Sequence, residues 1–237
     1  MRKFVLSPKG RRLHRVLGLI FGIYLITAAL SGIAHNVIAL AYPPPPPALP
    51  PGDVGIDAAI ISPAEAARIT GIASTVAAVN VRTIGGNVIY QLLSATAARP
   101  VYVDAATGAV HNNLDARYAA EIAGRALPSQ RLSNTAYLTA FDAEYTQMYR
   151  TLPVYRFDAA GDDGARIYVS TATGGVTFWT NDARRTLSAI FRNLHMLSFI
   201  GNHPVQMWIL IVFAVGATAM AGLGLAMVWA RDSGRRK

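Results

Sequence analysis

The chain has 237 residues, of which 52% are hydrophobic and 15% charged, with no cysteine and a formal net charge of +9. The missing thiols exclude disulfides, zinc–thiolate sites and cysteine-ligated iron–sulfur clusters. Residues 1–15 hold six cations and no acid, residues 231–237 hold four cations and one acid, and the 12 arginines between are balanced by 12 acids. A nucleic-acid-binding domain carries its basic excess on the domain itself; here it flanks apolar segments at the two chain ends, which speaks against a nucleic-acid partner.

The first element follows the basic tail, 1–15. Val16 to Ala34 is 19 residues without a charge, roughly 28 Å as a helix and close to the ~30 Å hydrocarbon core of a bilayer. The spacing predicts a transmembrane helix over 16–41. Proline ends helices because it lacks the amide donor, and Tyr42 to Pro51, "YPPPPPALPP", predicts an extended spacer over 42–56. A second reading makes the segment a signal peptide cut at Ala39-Leu40-Ala41. Its apolar run exceeds the usual length, and cleavage would remove the partner of the second span.

A helix signal comes next. Ser62-Pro63-Ala64-Glu65 combines a serine cap, proline at the first helical position and an acid against the helix dipole. Strands are expected at Val76–Ile84 and Val88–Leu93. Asp115–Leu127 has apolar residues at helical spacing, and strands follow at Ala136–Phe141, Val154–Asp158 and Arg166–Ser170. Asp162-Asp163 reads as a hairpin turn, with too few ligands for calcium. Two segments repeat: Tyr102–Val110, "YVDAATGAV", and Tyr168–Val176, "YVSTATGGV", agree at six of nine positions, 66 residues apart. Each reads as strand, turn and strand, with Gly108 and Gly174 supplying positive φ. "PVY" also recurs, at Pro100–Tyr102 and Pro153–Tyr155. The expectation is two small α+β modules, 57–113 and 114–183, each a helix on an antiparallel sheet.

Leu187–Ile200 is amphipathic and suits a membrane–water interface; with its linker it occupies 184–203. Val205 to Ala230 is 26 uncharged residues, with Pro204 at the first helical position and Trp208 and Trp229 near its ends. It predicts a second transmembrane helix over 204–230, before the basic tail 231–237. Cations beside both spans place both termini in the cytoplasm and the middle of the chain outside the cytoplasmic membrane.

These residues carry a family resemblance. "YVDAATGAV" resembles the ending of the PepSY domain at Tyr102, Val103, Asp104, Thr107, Gly108 and Val110, and the second copy matches at Tyr168, Val169, Thr173, Gly174 and Val176. Ser170 stands where that family favours aspartate. "LHRVLGL" at Leu13–Leu19, "LPVYRF" at Leu152–Phe157 after Tyr145, Arg184 and Arg185 before Leu194-His195, and Gly222, Gly224, Trp229 and Arg231 are similar, in order, to PepSY-associated transmembrane proteins. The resemblance implies an α+β periplasmic region of two tandem PepSY-like helix-plus-antiparallel-sheet modules, anchored by two transmembrane helices in a bacterial inner membrane. It also implies one of two activities. Some longer relatives, with more spans, are implicated in periplasmic reduction of ferric and siderophore-bound iron through b-type haem. Soluble PepSY domains are associated instead with inhibiting or chaperoning peptidases, so the alternative is an anchored binding or regulatory module without redox activity, acting on a peptidase, sensor or transporter.

Histidine is a standard axial ligand of haem iron. At helical spacing, Gly18, Leu25, Ala28, Gly32 and His35 fall within about 60° of His14, so one face carries two imidazoles and a line of small side chains. The same small residues, with Thr218, Gly222 and Ala226, also suit plain helix packing. His35 and His195 are expected near the outer face and form the better pair, with His203 competing for the place of His195. His14 lacks an inner histidine partner; Met227 or the same residue of a second copy in a homodimer would supply one. His14, His35, His195 and His203 are thus the candidate haem-binding residues, and the first three the candidate ligands of haem b iron. The implied partners are membrane lipid, a second copy, and a membrane electron donor or iron-uptake component. His111 reads as a surface residue. No phosphate loop, nucleophile elbow or zinc signature occurs.

Overall fold

A computed structural model describes residues 7–44, 55–147, 151–161 and 163–235, with no side-chain description for 227, 228 and 230–235. Residues 1–6, most of the proline spacer, Asp162 and the last two residues of the basic tail lie outside the described residues, as does the side chain of Met227. The chain forms two compact units, Met1–Pro43 with Ala183–Lys237, and Pro44–Asp182.

The first unit is built on two helices long and apolar enough to cross a membrane. α1 runs Pro8–Ala41. It begins two turns before the predicted span because Ser7-Pro8 is itself a start signal: the Ser7 hydroxyl accepts from the amide of Gly10 at 3.0 Å. It ends where Tyr42 meets Pro43, a residue pair hostile to helical backbone. The Arg184 guanidinium donates to the carbonyls of Tyr42 and, at 3.4 Å, Ala39, a cation on the negative end of the helix dipole.

The second long helix, His203–Arg235, starts one residue before the expected Pro204 and continues five residues past the expected end at 230. Asn202 accepts from the amide of Val205 at 3.2 Å, and Pro204 occupies the first turn. It packs on α1 through glycine. A Cβ on Gly216 would lie 2.2 Å from the Phe21 ring, one on Gly18 would touch Met220 at 3.5 Å, and one on Gly224 would reach His14 at 3.8 Å. Phe213 meets Phe21 edge-on at 5.8 Å and Tyr24 at 4.3 Å. Elsewhere both helices expose apolar side chains, among them Ile23, Ile26, Leu30, Val212 and Val215. That surface is costly in water and costs nothing against acyl chains.

The second unit is layered. α2, Pro63–Ile69, has the expected cap, Glu65 N donating to Ser62 Oγ at 3.1 Å. β1 (Val76–Ile84), β2 (Asn87–Ser94), β3 (Val101–Asp104) and β4 (Val110–His111) form an antiparallel meander in that order. α3, Leu114–Ala126, follows. β5 (Leu132–Leu138), β6 (Val154–Ala159), β7 (Arg166–Ser170) and β8 (Gly175–Thr180) make a second meander. β5 lies nearer the N-terminus than the predicted 136–141, because pairing with β6 starts at Leu132 opposite Ala159 and absorbs an irregularity between Asn134 and Ala136. The last α-helix before the second span, Asp182–Leu194, likewise starts five residues and ends six residues earlier than expected; a left-handed Leu197 stops it from continuing. In chain order it is α4, and His203–Arg235 is α5.

α3 lies between the two sheets. Its Tyr118, Ala119, Ile122, Ala123 and Ala126 share one core with Ile84, Ile89 and Tyr102 of the first sheet and Tyr155, Phe157, Ile167 and Val169 of the second. The far face of the first sheet, with Val88, Tyr90, Leu92 and Val103, is closed by Ala66 and Ala67 of α2. The far face of the second packs Val154 and Tyr168 under Tyr145. β2 is therefore buried on both faces, without a break from Val88 to Leu92, and Gln91 is the one polar side chain in that run.

The repeated nonapeptides form equivalent hairpins, β3–β4 and β7–β8. Gly108 (φ 77) and Gly174 (φ 74) take the predicted positive φ, and each amide returns to the carbonyl four residues back at 2.9 Å. Asp104 also accepts from the amides of Ala106 and Thr107. Burial alone would raise its pKa; the bonds from Thr107 and Ala106 outweigh that and hold the carboxyl below its ordinary value. Ser170 offers no such carboxylate. The two "PVY" segments are not equivalent: Tyr102 stands on the third strand of its sheet and Tyr155 on the second strand of its own.

Candidate functional site

Histidines dominate the helix pair. His195 follows α4, and its ring is half-buried against α1: Nδ1 lies 3.1 Å from the Ala28 carbonyl and 3.3 Å from Ser31 Oγ. Phe191, one turn earlier on α4, stacks on it at 4.4 Å and 17°. The same Phe191 ring meets His35 of α1 at 5.0 Å. The structure therefore brings His35 and His195 to one level, joined through an aromatic side chain.

His14 stands 21 residues from His35, about 32 Å along the helix, and serves a different level. Its Nδ1 is enclosed and makes no hydrogen bond, beside Gly224. His203 is the exposed first residue of α5, and the hydrogen-bonding work at that helix start is done by Asn202. His111 is exposed on β4.

A haem needs imidazole nitrogens free to reach its iron. His195 Nδ1 is anchored on Ala28 O and Ser31, which leaves Nε2 as the ring nitrogen for a ligand, as metal-binding imidazoles usually are held. His14 carries an enclosed ring nitrogen without a partner. Among the described residues no group of three or more histidines and acids gathers that would favour a bare ion. His195 as it stands would suit a single ligand of haem iron; for His35 to join it, Phe191 would have to turn aside. The small residues divide. Gly18, Gly216 and Gly224 are taken up by helix packing, whereas Gly22, Gly32 and Gly222 have nothing within 4 Å of an added Cβ.

A second polar constellation lies inside the α+β unit. Asp115, on the first turn of α3, is 4% exposed. It accepts from Tyr102 Oη at 2.5 Å and from Tyr155 Oη at 2.8 Å, one from each sheet. Gln91 Nε2 donates to Tyr102 Oη at 2.8 Å and to the Thr171 carbonyl at 3.0 Å. Arg82 and Asn80 of β1 reach the Ala172 carbonyl. Burial first, then the Asp115 carboxylate, pushes both tyrosine hydroxyls far above the ordinary value of 10.0. In the second hairpin Tyr168 Oη donates to Glu144 at 2.5 Å, and burial with that bond raises its pKa in the same way. These hydroxyls stay donors at any physiological pH. They suit holding the layers together and are unsuited to proton transfer.

No local pattern in the sequence marks Asp115 or Gln91 as partners of Tyr102, although Tyr102 lies in the repeat. Tyr24, Ser31 and Gln206 carry a signal of their own, a polar residue inside an apolar run. No protein-family model matches the chain, and no curated protein or solved structure matches it either.

Proposed function

We propose that this is a two-pass protein of a bacterial cytoplasmic membrane, with both termini inside and a PepSY-type α+β unit on the periplasmic side, that binds b-type haem and passes electrons outward to ferric iron, siderophore-bound iron included. The observation that supports it best is the meeting of His35 and His195 through Phe191 at one end of a lipid-suited helix pair. When bound, the haem would supply one-electron chemistry at its iron. The chain's own residues would do the rest. His195 would present Nε2 to the iron, and His35 would join it once Phe191 turned aside. His14 would serve a second level, with the same residue of a second copy as its partner, making a four-helix bundle.

The test is an absorption spectrum of the detergent-purified chain, oxidised and dithionite-reduced, with a pyridine haemochrome assay. A b-type spectrum lost on His195→Ala supports the reading. A clean, folded protein that takes up no haem on reconstitution overturns it and leaves the anchored binding module as the function.

A further inference from the structure

Polar side chains inside membrane helices are expensive and mark a purpose. On the faces where α1 and α5 meet the 195–201 segment, three of them converge on two consecutive residues. Tyr24 Oη donates to the His195 carbonyl at 3.0 Å. Gln206 Nε2, on a side chain 8% exposed, donates to the Met196 carbonyl at 2.5 Å. Ser31, 5% exposed, donates to the Ala28 carbonyl at 2.9 Å and lies 3.3 Å from His195 Nδ1. The next residue, Leu197, is the one non-glycine residue with positive φ among those described, at φ 54 and ψ 36. A leucine held in the left-handed region persists only where its surroundings over-determine it. Two main-chain anchors immediately before it do that.

The ring state follows from the acceptor. A carbonyl oxygen has no hydrogen to give, so the 3.1 Å contact between His195 Nδ1 and Ala28 O requires the hydrogen on Nδ1. The neutral ring then has its lone pair on Nε2. An unconstrained histidine favours the opposite tautomer, so the surroundings select this one.

We infer that Tyr24, Ser31 and Gln206 are positioning residues that clamp His195 as its Nδ1–H tautomer, leaving Nε2 as the one basic atom the ring offers. The clamp rests on the haem reading for its purpose and on geometry alone for the state of the ring.

The experiment is nitrogen-15 NMR of histidine-labelled, haem-free full-length protein in lipid nanodiscs, about two pH units above the ordinary histidine pKa. His195→Ala assigns the signal. The expected spectrum shows a pyrrole-type Nδ1 and a pyridine-type Nε2 for His195. Tyr24→Phe combined with Gln206→Leu is expected to move both nitrogens toward averaged values, and Ser31→Ala to have a smaller effect because Ala28 O remains. A wild-type ring that is averaged or Nε2–H overturns the inference without needing any variant. A ring that stays locked in the double variant overturns the role given to Tyr24 and Gln206. Haem titration of the same samples separates the two claims: a locked ring in a protein that takes up no haem supports the clamp and overturns the haem reading.

Discussion

Asp115 shows what one buried carboxylate does here. It receives hydroxyls from two different sheets while sitting on the helix between them, so its loss unpairs two donors that burial has cut off from water. Asp115→Ala should cost about 3 kcal/mol of stability, read as a lower denaturant midpoint of the full chain in detergent. Tyr155→Phe, which removes one of the two donors, should cost less. The tyrosines add a pH dependence. Their folded pKa values lie above the unfolded value, so the stability they contribute is complete below pH about 10 and declines as pH rises beyond it. Denaturant midpoints should therefore be flat with respect to these groups from pH 7 to 9 and fall above pH 10. Tyr102→Phe should flatten that fall. Single residues with local duties were legible in the sequence: Ser62 as a cap, Gly108 and Gly174 as turn residues. Asp115 was not, because its partners stand 13 and 40 positions away and only the fold brings them together.

At the level of elements, the two hairpins look interchangeable in sequence and differ in what they touch. A side chain on Gly108 would meet only Ile69 and Ile61 at 3.3 and 3.7 Å, whereas one on Gly174 would fall 2.7 Å from Arg82 and 3.0 Å from the Tyr118 hydroxyl. Both positions are strained for alanine by φ, at about 1–2 kcal/mol. Gly174→Ala should cost more than Gly108→Ala, and the excess should shrink when Arg82 is replaced by alanine, a coupling that a double-mutant cycle measures. In the helix pair the corresponding test is Gly216→Val. Its added atoms would enter the Phe21 ring and should destabilise the pair by about 1–3 kcal/mol, seen as an earlier transition in SDS titration. Boundaries read from the sequence held where a local signal set them, as at Ser62-Pro63 and Asn202-Pro204. They slipped where pairing decided, as for β5, whose end is fixed by its register with β6. They slipped again at α4, which stops short of His195, where Tyr24 and Gln206 on other helices hold the carbonyls of His195 and Met196 just ahead of the left-handed Leu197. The candidate ligands could be found by residue type and depth. Tyr24, Ser31 and Gln206 could not be assigned to them without seeing where the 195–201 segment turns.

For the molecule as a whole, the layered unit carries a plain expectation. Ile122 of α3 is fully buried between the sheets, so Ile122→Ala should cost about 2–5 kcal/mol. Both sheets should lose their hydrogen-exchange protection together, because the helix contributes to one core lined from both sides. Protection lost in one sheet alone would show two independent bodies. The consequence reaches beyond stability. The two halves share a repeated nonapeptide, yet the seam between them, at 113/114, falls just before the helix that both sheets bury. A recombination event that kept one half would inherit either a sheet without its inner cover or a helix with one flank bare. The two sheets and the helix between them are thus one indivisible block, tied by a core that neither half holds alone.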